Sequence, residues 1–443
     1  MNGALKAGED VPGGVRLDPE GMVYEMGDGS IKYFMDNGRK YPFTAGASAC
    51  SLLKGLLVTN TRVNAINADI VQATANPAAT LKHGEVLYVE KPTMRSSHGK
   101  GTWSDDEYAH PGLQAIYLRL KSFQRFTESW ALFERCAAHG VLDPFIRRST
   151  GSGDSEAARP PLRVASLGGG PGYELLAFEW FAHFWAAVGD KPSAEREEWI
   201  RSQSYVAAAE KTDEKAEPEK AAETAAAAAT VEAVSQSLSE AAVVDVSDGG
   251  GGAKTVTTAA SGVGLSVAGV LPPMELVSLD LQPSWVSYVH ALPGASSSAR
   301  YSFAQWDVNG GRDAVTTAAL GSLDLCIISN VLVYCTDEPT ADVLAALLTQ
   351  HGVKAIMINE RGAEQRMVEM LQRRNIVVVR LMDQSGGRDD RQLLVLPPGA
   401  QAPAADEQAP ASQDARGGAV ADGRRAAYGV FPNVPYEEQK YEK

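Results

Sequence analysis

The 443-residue chain predicts an α/β fold, a mostly parallel sheet covered by helices on both faces, and three observations lead there. A short apolar strand (residues 164–167) passes through a glycine loop (168–172) into an apolar helix that begins near Tyr173. Strand and helix patterns then alternate to about residue 397, which is the signature of parallel βαβ units. One later strand, residues 323–328, is a near-continuous apolar run, as expected of a strand buried on both faces.

Taken in order, each element has a local reason. The first strand feeds its helix through glycines, which brings backbone N–H groups to the carboxyl edge of the sheet, where open α/β sheets bind ligands. The second strand, residues 275–279, closes on Asp280, and the third, 301–306, alternates and closes on Asp307. The fourth ends in Ser329-Asn330-Val331-Leu332-Val333-Tyr334, and Pro339 opens the next helix because proline suits a first turn. Residues 354–358 form a fifth strand, followed by Asn359-Glu360-Arg361, and 361–374 read as an amphipathic helix. Two further strands, 376–381 and 392–396, are joined through Ser385-Gly386-Gly387.

The glycine spacing selects among ligands. A dinucleotide fingerprint needs Gly-x-Gly-x-x-Gly, but Tyr173 stands three positions after Gly170. A phosphate loop needs Gly-Lys-Ser/Thr at the helix start, where this chain has Pro171-Gly172-Tyr173. What remains is Gly-x-Gly-x-Gly at Gly168, Gly170 and Gly172. On that strand, the pattern resembles the first motif of the class I S-adenosylmethionine-dependent methyltransferases. The resemblance is one of motif and element order, spans about residues 160–397 and singles out no subfamily. It implies a Rossmann-like seven-stranded, mostly parallel sheet that ends in an antiparallel hairpin, with S-adenosyl-L-methionine as the cofactor. It also implies that Gly168, Gly169, Gly170 and Gly172 form the cofactor loop. The family usually has Asp or Glu two residues before the first glycine, and this chain has Ser166, whose hydroxyl can hydrogen-bond near the methionine end without supplying charge.

A nucleoside-binding unit carries an acid about 20 residues beyond its glycines, where it meets ribose hydroxyls. Asp280, followed by Leu281, lies 108 residues beyond Gly172. Setting aside 187–271 (85 residues) leaves 23, which makes Asp280 the ribose-binding candidate, against an ordinary strand-end aspartate. By the same resemblance Trp306 and Asp307 are adenine-pocket candidates, with a surface aspartate closing a strand as the competing reading. Ser329 and Asn330 fall at the family's fourth motif, where cofactor and substrate meet. Asn330, Tyr334 and Glu360 stand at the carboxyl ends of central strands and are substrate-side candidates, or polar residues that cap the next helix.

The expected organisation has three parts. Residues 1–160 form an N-terminal α+β region that covers cofactor and substrate. Residues 161–397 form the methyltransferase-like domain, interrupted at about 204–264 by a low-complexity insert. Residues 398–443 form a mostly disordered tail. The insert runs through Lys/Glu repeats, an alanine run at 225–229 and Gly249–Gly252, a composition too poor in apolar surface to offset ordering entropy. In the tail, residues 428–436 regain aromatics, to dock back on the domain or to present a partner motif. Near the N-terminus, residues 22–26, 31–35 and 40–43 read as a meander turning at Asp28-Gly29 and Asn37-Gly38. Residues 52–75 read as helical, and 113–136 carry apolar residues at helical spacing, either a substrate lid or a helix packed on the sheet. On that helix Arg119, Lys121 and Arg125 form either an RNA contact or a solvated face.

Composition excludes some classes. Cys50, Cys136, Cys326 and Cys335 show no metal-ligand spacing, the seven histidines form no cluster, and no bound metal is expected. No apolar run reaches membrane-spanning length and the N-terminus lacks a secretory pattern, so an intracellular protein, cytoplasmic or nuclear and off the membrane, is expected. A net charge of −14 disfavours nonspecific nucleic-acid binding. A nicotinamide oxidoreductase is disfavoured by Tyr173 and by the positions of the two Tyr-x-x-x-Lys pairs, Tyr117/Lys121 before the sheet and Tyr436/Lys440 in the tail. The Asn/Asp-Pro-Pro-Tyr/Phe grip of nucleobase-amino methyltransferases is absent, since Val331-Leu332-Val333 separates Asn330 from Tyr334. No cysteine sits in a motif for covalent attack on a pyrimidine. Two functions remain: a methyltransferase acting on an unidentified small molecule, protein or RNA, and a non-catalytic module of the same fold that works through protein or RNA partners.

Overall fold

The structure is a computed structural model that describes residues 14–16, 23–26, 31–33, 46–90, 103–146, 160–202, 271–308, 321–360, 364–383 and 391–400, except 190, 192, 295, 296, 298 and 336. The insert at 204–264, the tail from 401, Arg361, the Ser385-Gly386-Gly387 loop and the two N-terminal turn pairs lie outside the described residues.

Three short strands, β1 (Gly14–Arg16), β2 (Val23–Met26) and β3 (Ile31–Tyr33), pair antiparallel in the order β1-β2-β3. The meander is therefore shifted by one strand from its sequence reading. It begins at Gly14, and the expected strand at 40–43 lies outside the described residues. The helices that follow are α1 (Gly46–Gln72), α2 (Pro77–Val89), α3 (Asp105–Tyr108), α4 (Pro111–Ala138) and α5 (Asp143–Ile146). Sequence reading anticipated α1 and α4 but not α2. Its start is set by Asn76, whose side chain accepts the Ala79 N–H, with Pro77 in the first turn. It is held against α4 at a glycine crossing. A methyl group on Gly84 would lie 2.1 Å from the Gly112 carbonyl carbon, so only two glycines permit this approach.

The main sheet has seven strands. They are β4 (Leu162–Leu167), β5 (Met274–Asp280), β6 (Ala299–Gln305), β7 (Leu325–Ser329), β8 (Ala355–Glu360), β9 (Val377–Asp383) and β10 (Arg391–Leu396). They lie in the order β6-β5-β4-β7-β8-β10-β9. The first five are parallel neighbours and β10 is antiparallel to both β8 and β9, so the terminal hairpin is present with its second strand inserted next to β8. Chain order reverses between β4 and β7, which makes the crevice beyond their carboxyl ends the place where such sheets bind ligands.

Between the strands run α6 (Tyr173–Val188), α7 (Ser193–Ser202), α8 (Val286–Ala291), α9 (Glu338–Thr349) and α10 (Glu364–Arg373). Side chains alternate between two cores. Leu162, Val164, Leu276, Leu325, Ile327 and Met357 pack beneath α1, α4 and α6. Ala165, Leu167, Leu279, Cys326, Ile328 and Ile356 pack beneath α9 and α10. Helix α6 is buried from Tyr173 to Trp185, as an apolar helix between a sheet and a covering helix has to be. Cys326 is a buried hydrophobe in this core, its thiol pushed up to about 12 by burial. Among the described residues no helix is long and apolar enough to cross a membrane, and no three His, Cys, Asp or Glu side chains are placed to hold a metal ion.

The glycine crossing supplies a test. Gly84→Val is expected to lower stability by about 3 kcal/mol or more in urea denaturation, because the helices must separate. A loss below about 0.5 kcal/mol would show that α2 does not pack as described.

Candidate functional site

The loop after β4 folds back onto β5. Gly168 and Gly169 N–H both reach the Leu279 carbonyl, at 2.7 and 3.3 Å, and Gly172 N–H bonds the Gly169 carbonyl at 2.9 Å. Gly170 N–H donates to Asp280 Oδ2 at 2.9 Å, and the Gly170 carbonyl accepts from Ser278 Oγ at 2.9 Å. Gly168, Gly170 and Gly172 have φ of 68°, 49° and 84°, which an L side chain resists. The loop therefore does not offer bare N–H groups at these glycines, contrary to its sequence reading, because all four donors are spent inside the fold.

Packing explains the same glycines. A methyl group on Gly168 would meet Val331 at 2.6 Å, so the loops after β4 and β7 touch at the reversal point of the sheet. One on Gly169 would meet Ser166 at 2.7 Å and Ser278 at 2.8 Å. Ser166 is thus buried under the loop, with its Oγ lacking a hydrogen-bond partner. Gly170 differs, since a methyl group there would meet nothing nearer than Trp285 at 3.8 Å.

Asp280 is buried, and its other oxygen accepts the Gln282 N–H at 2.9 Å. Burial raises its carboxyl, with the Gln282 and Gly170 N–H bonds opposing. Trp285 lies over Gly170, ringed by Tyr108, Tyr117 and Tyr288 at centroid distances of 5.6, 5.6 and 5.5 Å. Tyr108 is raised well above its ordinary value by burial and then by the charges of Tyr117 and Asp280.

Helix α4 closes the crevice from above. Arg125 donates to the Ser329 carbonyl at 3.0 Å and to Ser329 Oγ at 2.9 Å, so the end of β7 is held by a helix far away in sequence. The same guanidinium lies 3.7 Å from Glu174 and 3.9 Å from Glu128. Burial disfavours its charge, but Tyr117, Glu174 and Glu128 together outweigh this and hold Arg125 above its ordinary value. For Glu174 burial wins: its carboxyl is pushed up to about 7, with Arg125 opposing and Glu128 and Asp280 adding to the rise. Arg125 is accordingly not part of a solvated face, because its charge is turned inward.

Asn330 follows with φ of 57°, and its amide donates to Glu128 Oε2 at 3.2 Å. Glu360 is buried and accepts the Leu332 N–H at 2.9 Å, capping the short turn Leu332–Tyr334 after β7. Asn330 therefore joins the crevice, and Glu360 does what a capping residue does. Trp306 packs in the second core with Leu167 and Leu279, and Asp307 is exposed. Leu281 and Tyr334 stand outside, 40% and 46% exposed.

The site contains residues that sequence reading missed, namely Arg125 as a buried group, Glu128, Glu174, Trp285 and Tyr108. One signal pointed to the first two. Gln114, Tyr117, Lys121, Gln124 and Glu128 recur at steps of three and four along α4, with Arg125 next to Gln124, a polar stripe that faces something.

No family model matches the chain, and no match to a curated protein is found. Among solved structures, the chain is similar to a TehB-like SAM-dependent methyltransferase from Corynebacterium glutamicum, at 14% identity over 28% of this chain and 68% of that one, with a TM-score of 0.22. It is also similar to the N-methyltransferase NodS from Bradyrhizobium japonicum, at 16% identity over 28% of this chain and 74% of that one, TM-score 0.20. A possible exported protein from Bordetella parapertussis is 11% identical over 81% of this chain and 99% of that one, TM-score 0.30. Likenesses this loose carry no weight. The α/β assignment rests on the strand order and register described above.

The buried cluster makes a prediction about pH. Glu174 has a folded-state value near 7, above its ordinary 4.5, so between those values the folded protein holds more protons than the unfolded one. Its contribution to stability is present at low pH and lost as pH rises through about 7. Urea denaturation from about pH 5 to 8 should show Glu174→Gln gaining on the native chain by on the order of 2 kcal/mol. A difference that does not change with pH would contradict this assignment.

Proposed function

We propose that the protein is an S-adenosylmethionine-dependent methyltransferase acting on an unidentified acceptor. The observation that supports this most is the charge of the crevice at the reversal point of the sheet. The glycine loop has spent its N–H groups, Glu174 and Glu128 lie beside the guanidinium of Arg125, and Asp280 interacts with Glu174. A phosphate needs free donors and positive charge, whereas the four glycine N–H groups are taken and Arg125 is already paired with Glu174 and Glu128. A sulfonium cofactor carries positive charge and suits a carboxylate-rich wall. The residues present therefore fit this group better than a dinucleotide or a phosphate ligand.

When bound, the cofactor would supply an electrophilic methyl group for in-line displacement. The chain's own part is alignment and exclusion of water. The loop from Gly168 to Gly172 and Asp280 would hold the nucleoside end. Trp285, Tyr108 and Tyr117 would wall it, and the α4 stripe through Arg125 and Glu128 would close the crevice toward Asn330. Methyl transfer needs no obligatory acid or base, so the acceptor stays open among small molecules, proteins and RNA. A second reading has support in Asp280, both of whose oxygens already accept backbone N–H groups, and in Ser166, which is covered by the loop. It is a non-catalytic module that keeps the fold and acts through a partner.

Calorimetric titration with S-adenosylmethionine, S-adenosylhomocysteine and NADH separates these readings. Micromolar binding of the first two without response to NADH is expected. Gly170→Asp, which adds a negative charge beside Asp280, and Asp280→Ala should each weaken that binding at least about tenfold with the fold retained. Binding that is unchanged in both variants sinks the site assignment, and no binding by the native chain favours the module.

A further inference from the structure

We infer that Trp285 and Asp280 form a two-point clamp for a sugar hydroxyl, so that Trp285 sets the ribose specificity of the cofactor site. The inference rests on the methyltransferase reading above. Trp285 is fully buried, yet its indole Nε1–H has no hydrogen-bond partner. A buried donor left unpaired costs about 1–3 kcal/mol, and native structures rarely keep one without a use. Its position is specific. A methyl group on Gly170 would lie 3.9 Å from Trp285 Nε1 and 4.0 Å from Asp280 Oδ2, so the indole nitrogen and the carboxylate oxygen border the same side of Gly170. Gly170 is also the loop glycine whose Cα faces this open side, while those at 168 and 169 are pressed against Val331, Ser166 and Ser278.

The chemistry of the pair narrows the ligand. The indole N–H only donates. The ionised carboxylate only accepts, and the Gly170, Gln282 and Leu281 N–H groups take up to three of its roughly four lone-pair positions. A phosphate or carboxylate would accept from the indole but meet the charge of Asp280, with Glu174 close enough to interact with it. An ammonium group would pair with Asp280 but could accept nothing from Trp285. A hydroxyl donates and accepts at once, and a ribose presents two of them side by side. Tyr108, Tyr117 and Tyr288 pack around the indole at centroid distances of 5.6, 5.6 and 5.5 Å.

The test follows the indole N–H of Trp285 by 1H–15N NMR while S-adenosylhomocysteine, its 2′-deoxy and 3′-deoxy analogues, and adenosine are titrated. The Trp285→Phe chain assigns the signal and gives calorimetric affinities. If that chain does not fold, β-(3-benzothienyl)alanine at position 285 keeps the bicyclic ring and removes only the N–H. The expected result is a downfield shift of the Trp285 signal with S-adenosylhomocysteine and about fivefold weaker binding by the variant. The deoxy analogue that lacks the engaged hydroxyl should bind native and variant chains equally. A signal that stays put while S-adenosylhomocysteine binds overturns the clamp, as does a variant that loses equal affinity for all four ligands. If S-adenosylhomocysteine fails to bind but adenosine moves the signal, the methyltransferase reading falls and the clamp stands. If neither binds, both fall.

Discussion

The closure of the loop after β4 onto the end of β5 is the contact on which the rest of the site depends. It is made by backbone, through Gly168 and Gly169 to the Leu279 carbonyl, and fastened by Gly170 to Asp280. Such a closure requires three positive φ angles and a surface beneath Gly169 with no bulk. Ser166 and Ser278, opposite each other in the β4–β5 register, provide that surface. The serine at 166 thus has a physical reason to be small. An acid at 166 would be buried under the loop, where its charge is costly.

The closure also decides the electrostatics. Because the loop satisfies its own donors, those N–H groups are not available to an anion, and Asp280, Glu174 and Glu128 are buried around it. Arg125 balances part of that charge from α4 while it holds the end of β7 through Ser329. One buried guanidinium therefore couples three elements distant in sequence. A buried ion pair of this kind adds little net stability, since desolvation offsets most of the attraction, but removal of one partner strands the other. Its worth lies in placing α4, β7 and the start of α6 in a single arrangement.

Helix α4 serves two ends at once, as core and as wall. Its apolar side, with Phe126, Trp130 and Phe133, packs on Phe178, Trp180 and Phe181 of α6. Its polar stripe extends the network toward the terminal hairpin, where Arg135 reaches Gln392 and Gln392 bonds both the Glu128 carbonyl and Asn359. Of the two readings left open by sequence, the structure shows the packed helix: α4 buries its apolar side against α6.

Seven strands, their order along the chain and the glycine turn were legible in the sequence because strands buried on both faces must be apolar throughout and tight turns must be glycine. Strand ends moved by a residue or two, as at Ser329 and Gln305, since ladders end where hydrogen bonding ends rather than where hydrophobicity does. Helix α2 escaped notice because what holds it is a glycine-to-glycine crossing, which leaves no periodic pattern. Asp280 was legible by type and spacing, while Glu174, Arg125 and Trp285 were not. A charged residue read alone is assigned to solvent, because burial of charge is rare and costly. Only the folded chain supplies the partners that make it affordable, and so the sequence by itself determined the fold class and the sheet edge that carries the glycine turn. The tertiary structure decided the charge of that edge and its unpaired donor, since both arise from groups that meet only after α4 has crossed the sheet.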